Sequence, residues 1–168
     1  MPATSAPEDR AALDRLFARL ADPAAAGESD AVESGIWMLW MRSGDDATDR
    51  LLAQGTEAMG GGNFALALTL FNSVIERAPD FAEGWNKRAT LYYLMGMLEQ
   101  SIADCGRVLA LEPRHFGALS GLGLINLARE DQRAALRFFE AAGKVHPHSP
   151  SIRHNIQFLR QRLGDKPT

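Results

Sequence analysis

The chain holds one cysteine in 168 residues, Cys105, so no internal disulfide can staple it. No apolar run approaches the ~20 residues that a membrane-spanning helix needs. Nothing reads as a strand–turn–strand run. Aromatic residues make up 8% of the chain, and its basic end lacks the dense arginine–aromatic interleaving of a nucleic-acid surface. The one glycine run, Gly60-Gly61-Gly62, lacks the Lys-Ser/Thr pair that follows a phosphate-cradling loop. Residues 1–7 carry no apolar stretch of the kind a secretory signal has, and residues 2–8 are polar, like the start of a mature chain. These absences leave a helical chain without a span, a nucleotide loop or a disulfide framework.

What is present is a period. Pro79, Pro113 and Pro147 stand thirty-four residues apart, and other positions keep the same spacing. Leu51, Trp85 and Leu119 do so, as do Gly55, Ala89 and Gly123, then Ala58, Tyr92 and Asn126. Ala67, Ser101 and Ala135 follow, then Phe71, Cys105 and Phe139, then Val74, Val108 and Ala142. Large apolar and small residues recur in a fixed order. One such unit cannot bury its own apolar face, but a stack of them can. The small residues let two helices approach, the phenylalanine positions fill the space between units, and each proline stops a second helix.

The order W-x2-L-G-x2-Y, then A-x3-F, then P, resembles the tetratricopeptide repeat, two antiparallel helices in 34 residues. The units are 48–81, 82–115 and 116–149, with Arg88 in place of a leucine, Ser101 of an alanine and Asn126 of a tyrosine. The resemblance implies an all-α fold, a right-handed α-solenoid of three helix pairs. Residues 1–47 are expected to form a tail and a helical pair packing on the repeats, and 150–168 a capping helix and tail. In the pair, Leu13, Leu16, Phe17 and Leu20 line one side of the first helix, and Ile36, Trp37, Leu39, Trp40 and Met41 mark the second. Projected backwards, the 34-residue frame puts Phe17, Leu20 and Trp37 on repeat positions. The pair therefore reads as a degenerate repeat or a cap on the N-terminal end. Trp37 and Trp40 are expected to be structural, with an exposed aromatic anchor as the alternative. Asp80 with Glu83, and Asp30 with Glu33, read as capping boxes; Ser149 before Pro150 reads as an N-cap.

The chemistry-bearing residues are sparse. His146, His148 and His154, with His115 one repeat upstream, invite a metal reading, but they flank turns and have no acidic neighbour in sequence. They are expected to be solvated turn histidines, and no metal or other cofactor is expected. Cys105 falls on a core register without an adjacent histidine, so it is expected to be buried and inert. Asp45 and Asp46 are expected to cap a helix. No catalytic residue follows from the sequence, and the expectation is a non-enzyme.

In the resembled family the first helices line a concave face that takes peptides. The matching positions expected to bind a partner segment are Thr56, Met59, Asn86, Lys87, Thr90, Tyr93, Ser120, Leu124, Leu127, His154, Asn155 and Phe158. Asn86, Thr90 and Asn155 would hold a peptide backbone, Tyr93, Met59, Leu124 and Phe158 would form apolar pockets, and Gly117 and Gly121 would leave room. The clamp that one subfamily uses on chaperone tails is missing: Leu52, Thr56, Lys87, Gly117 and Gly121 stand at its positions. The expected partner is thus a protein or peptide, with no nucleic acid and no membrane span. A self-associating scaffold is the alternative, because 9 acidic against 4 basic residues in 1–47 oppose 4 against 9 in 114–168. Two segments, 78–89 and 111–123, resemble short exported repeat proteins of Gram-negative bacteria, which leaves periplasm and cytoplasm both open.

Overall fold

Helices of twelve to fifteen residues with apolar faces can be satisfied only by packing on the next. That is the arrangement in the computed structural model, which describes residues 7–164. The polar start and the frayed end expected from the sequence lie largely outside the described residues. The helices are α1 (Pro7–Ala21), α2 (Ser29–Trp40), α3 (Asp46–Gly60), α4 (Phe64–Arg77), α5 (Ala82–Leu94), α6 (Leu98–Leu111), α7 (Phe116–Ala128), α8 (Gln132–Val145) and α9 (Pro150–Leu163). A 3₁₀ segment, Pro23–Glu28, joins α1 to α2. Each of α3 to α9 packs on its sequence neighbours, and α5 also touches α3 and α7, so these first helices share a face.

The small-residue positions do what their spacing requires. A Cβ at Gly55 would lie 2.5 Å from the Phe71 ring, and one at Gly123 would lie 2.6 Å from Phe139. Phe71 and Phe139 are buried there. Ser101 fits its small-residue position by donating its hydroxyl to the Ala89 carbonyl at 2.7 Å. Arg88, in the leucine position, donates a fork to Asp104 at 2.7 and 2.9 Å and lies over Trp85 and Tyr92. Here a charge-assisted bidentate pair replaces an apolar contact.

The turns inside each repeat follow the frame too. Asn63 and Asp131 cap α4 and α8 through their side chains, and Ser149 caps α9 ahead of Pro150. Asp45 caps α3, accepting from the Thr48 N–H at 2.9 Å. The two expected capping boxes do not form. The N-caps of α2 and α5 are Glu28 and Phe81, without a side-chain cap bond, and Glu33 and Glu83 are spent elsewhere.

The N-terminal pair also packs elsewhere than on the N-terminal end. Helices α1 and α2 bury Leu13, Phe17, Leu20, Val32, Ile36 and Trp40 together with Phe116, at the start of α7, and Val145 lies against that cluster. Helix α1 reaches α8. The pair therefore lies along the turns that lead into repeat three and α9, and its core takes no residue from α3 or α4. Its residues are placed by Phe116 and its neighbours, which the backward-projected frame does not contain.

Candidate functional site

Tyr93 stands on α5 and Leu124 on α7, and between them lies a cavity of about 190 Å³. Asn86, Thr90, Ser120, Gly117 and Gly121 complete its rim, and Ala89, Ser101, Cys105 and Ile125 lie deeper. The cause is legible in the frame. Repeats one and three carry Gly55 with Phe71 and Gly123 with Phe139, whereas repeat two carries Ala89 with Cys105. A thiol where the other repeats place a ring leaves the space between α5 and α7 short of side-chain volume. A cavity of about 150 Å³ with an apolar lining already admits benzene. The size suits one ring or one branched aliphatic side chain.

Cys105 is buried, and burial, helped by the adjacent Asp104 charge, pushes its thiol up to about 12. A thiol held that far from ionisation is a packing group and not a nucleophile. The hydrogen-bonding groups of the expected groove are less available than their types suggest. Thr56 and Thr90 donate to the carbonyls of Leu52 and Asn86, four residues back, at 2.8 and 3.1 Å. Asn155 likewise bonds the Ser151 carbonyl at 3.0 Å.

Of the twelve expected groove residues, Asn86, Thr90, Tyr93, Ser120 and Leu124 come together around the cavity. Met59 packs on the core of repeat one, and Leu127 on the core between repeat three and α9. Lys87 is half-buried, while His154 and Phe158 are exposed along α9, with Arg162 over the Phe158 ring. Ala89, Ser101, Cys105 and Ile125 belong to the cavity too, although the repeat frame assigns them to the core and not to the groove. The substitution of a cysteine for the repeat's phenylalanine is the signal that marks them.

One edge of the concave face is closed by the chain itself. A Cβ at Gly117 would meet Trp37 at 2.7 Å, so the room expected there for a ligand is taken. Trp40 stacks on His115, with ring centroids 4.0 Å apart and planes 9° apart, and Trp37 stands edge-on to His115 and Phe116.

Two of the histidines, His115 and His146, are not the solvated turn residues expected, whereas His154 is exposed. His115 is 0% and His146 1% exposed. His115 caps α7: its Nδ1 accepts from the Ala118 N–H at 3.0 Å, so Nε2 carries the proton and donates to Glu83 at 2.7 Å. Glu83, itself 0% exposed, also accepts from Asn86 at 3.2 Å. Asn86 is thus buried and engaged with its own helix. His146 faces Glu33 of α2 at 2.8 Å. Both glutamates that looked like helix caps therefore serve buried imidazoles. A pairing over 32 or 113 residues leaves no mark in a local pattern.

No family model matches the chain. It is similar over 99% of its length to a TPR repeat-containing protein of Rhizobium etli, with 31% identity over 166 residues that span 80% of that protein. Among solved structures it is similar to the Sgt2 TPR domain from Aspergillus fumigatus, at a TM-score of 0.66 and 20% identity, over 74% of this chain and 87% of that one. It is also similar to the first TPR of Spaghetti (RPAP3) bound to the HSP90 peptide SRMEEVD. There the TM-score is 0.65 with 18% identity, over 70% of this chain and 93% of that one.

Proposed function

The chain belongs to the tetratricopeptide-repeat proteins, and from that premise we propose that it is a non-enzymatic interaction module. It binds an extended segment of a partner protein along α5, α7 and α9, with one apolar side chain of that segment seated over Cys105. The observation that carries this reading is the 190 Å³ cavity, open to the concave face between Tyr93 and Leu124. Leu94, Leu124 and Phe158 are exposed on α5, α7 and α9 and offer apolar contacts to such a segment.

The acidic chaperone tail in the Spaghetti complex is not the ligand to expect here. Leu52, Thr56, Gly117 and Gly121 offer no cation, and Lys87 offers one. Such a face selects by apolar fit and backbone hydrogen bonds in place of charge.

The test is a selection of random twelve-residue peptides displayed on phage, with the whole protein as bait. Replacing Tyr93 and Leu124 by alanine removes two walls of the cavity. It should weaken the selected peptides by more than ~2 kcal/mol, as hot-spot truncations do, while circular dichroism stays unchanged. Selected peptides that bind the folded double variant as tightly as the parent would overturn the reading.

A further inference from the structure

The surface under the N-terminal hairpin belongs to the repeats. It consists of His115, Phe116 and Gly117 at the start of α7, His146 after α8, and Arg114 beside them. Helix α2 meets it with one face, because Glu33, Trp37 and Trp40 stand four and three residues apart. Glu33 accepts from His146, Trp37 fills the slot left by Gly117, and Trp40 lies flat on His115. Helix α1 adds Asp14, which pairs with Arg114 at 2.8 Å, and Phe17 beneath the same guanidinium.

The fit is incomplete. Trp40 Nε1 and His146 Nδ1 are buried at this contact with no hydrogen-bond partner among the described residues. With Nε2 engaged by Glu33, His146 Nδ1 is left without a partner. Buried polar groups left in this way count against the bound state. The hairpin is joined to α3 by residues 41–45 alone, and its core takes nothing from α3 or α4.

We propose that this surface is a second docking site, adjoining the cavity, for a partner's acidic amphipathic helix, and that α2 is its displaceable stand-in. The partner helix carries a carboxylate at one position and aromatic side chains four and seven positions later. A hydroxyl toward His146 Nδ1, which can donate or accept, with phenylalanine in the place of Trp40, removes both defects of the internal contact. His146 and Arg114, which hold Glu33 and Asp14 in the internal contact, give the surface two partners for carboxylates of an acidic helix. The inference rests on the concave face being an interaction surface and adds a control to it: while α2 is docked, Trp37 covers the edge of the groove at Gly117.

The test uses the full chain and a fluorescein-labelled peptide with the sequence of residues 29–43. Anisotropy is read against the parent and against the full-length Trp37→Ala/Trp40→Ala variant. The parent's own α2 competes at a local concentration in the mM range, so the variant should bind the peptide at least about tenfold more tightly. The same peptide with both tryptophans replaced by alanine should bind neither protein. A variant that keeps its helical signal and takes up the peptide no better than the parent overturns the proposal.

If the variant does not fold, hydrogen exchange on the parent decides. Amides of α1 and α2 should exchange through an opening that leaves α5 to α9 protected. Exchange of all these helices together, only on global unfolding, overturns the proposal. The Tyr93→Ala/Leu124→Ala variant separates the two readings. Loss of library peptides there, with no gain in α2-peptide binding by the Trp37→Ala/Trp40→Ala variant, retains the groove and removes the second site. The opposite pattern retains the second site and removes the groove.

Discussion

Glu130 has φ of +62°, the left-handed region, at the position where repeats one and two place Gly62 and Gly96 with φ of +78° and +73°. A residue with a Cβ is held there at a cost of roughly 1–2 kcal/mol. Replacing Glu130 with glycine should therefore raise the stability by about 1 kcal/mol, read as a higher melting temperature, once the flexibility of glycine is set against it. A neighbouring frame position offers a second repair. Asn63 and Asp131 cap their helices, but Met97, in the same place, has no acceptor. Met97→Asp should add ~1 kcal/mol by the same measurement.

Asp45 tests the pH dependence at this scale. Hydrogen bonds from the Thr48 hydroxyl and N–H, and then from Arg77, hold its carboxyl down at about 2. A carboxyl depressed in the folded state stabilises above its ordinary range and loses that contribution as pH falls towards the folded value. The acid limb of stability between the ordinary carboxylate range and about 2 should flatten in Asp45→Asn, as followed by thermal melts across that range. The thiol of Cys105, at about 12, should resist iodoacetamide near neutral pH and react once the chain is unfolded.

At the scale of helices, the close approaches are the points of least tolerance. Gly123→Ala would drive a Cβ into the Phe139 ring between α7 and α8, and overpacking of this kind costs about 1–3 kcal/mol. Gly106 has nothing near its would-be Cβ, so alanine there should be neutral or slightly stabilising in the same melts. The helices of the repeats were legible because their signals are local and recur: proline stops, small residues at Gly55 and Gly123, and caps at Asn63, Asp131 and Ser149. The placement of α1 and α2 was not. Their docking depends on Phe116, His115 and His146, contacts that span about a hundred residues, while Asp30-x2-Glu33 and Asp80-x2-Glu83 imitate capping boxes. A carboxylate three residues after an aspartate does not reveal whether it turns back to the backbone or outward to a distant imidazole.

For the molecule as a whole, the candidate site was half legible. The frame named the helix face and found Tyr93, Ser120 and Leu124. Treating Cys105 as one more small core residue concealed the missing ring that opens the cavity. The frame also suggests how to close it. Ala89→Gly with Cys105→Phe would rebuild in repeat two the glycine–phenylalanine pair that packs repeats one and three. Filling a cavity in this way should preserve or raise the stability.

That double variant gives the most direct measurement. Peptides selected by the parent from the random library are titrated against parent and variant, both first shown by circular dichroism to be folded. A concave site centred on the cavity requires the variant to lose affinity by about tenfold or more, the ~1.4 kcal/mol or greater contribution of one buried side chain. Equal affinity for the two proteins would contradict it, and would move the interaction surface away from α5 and α7.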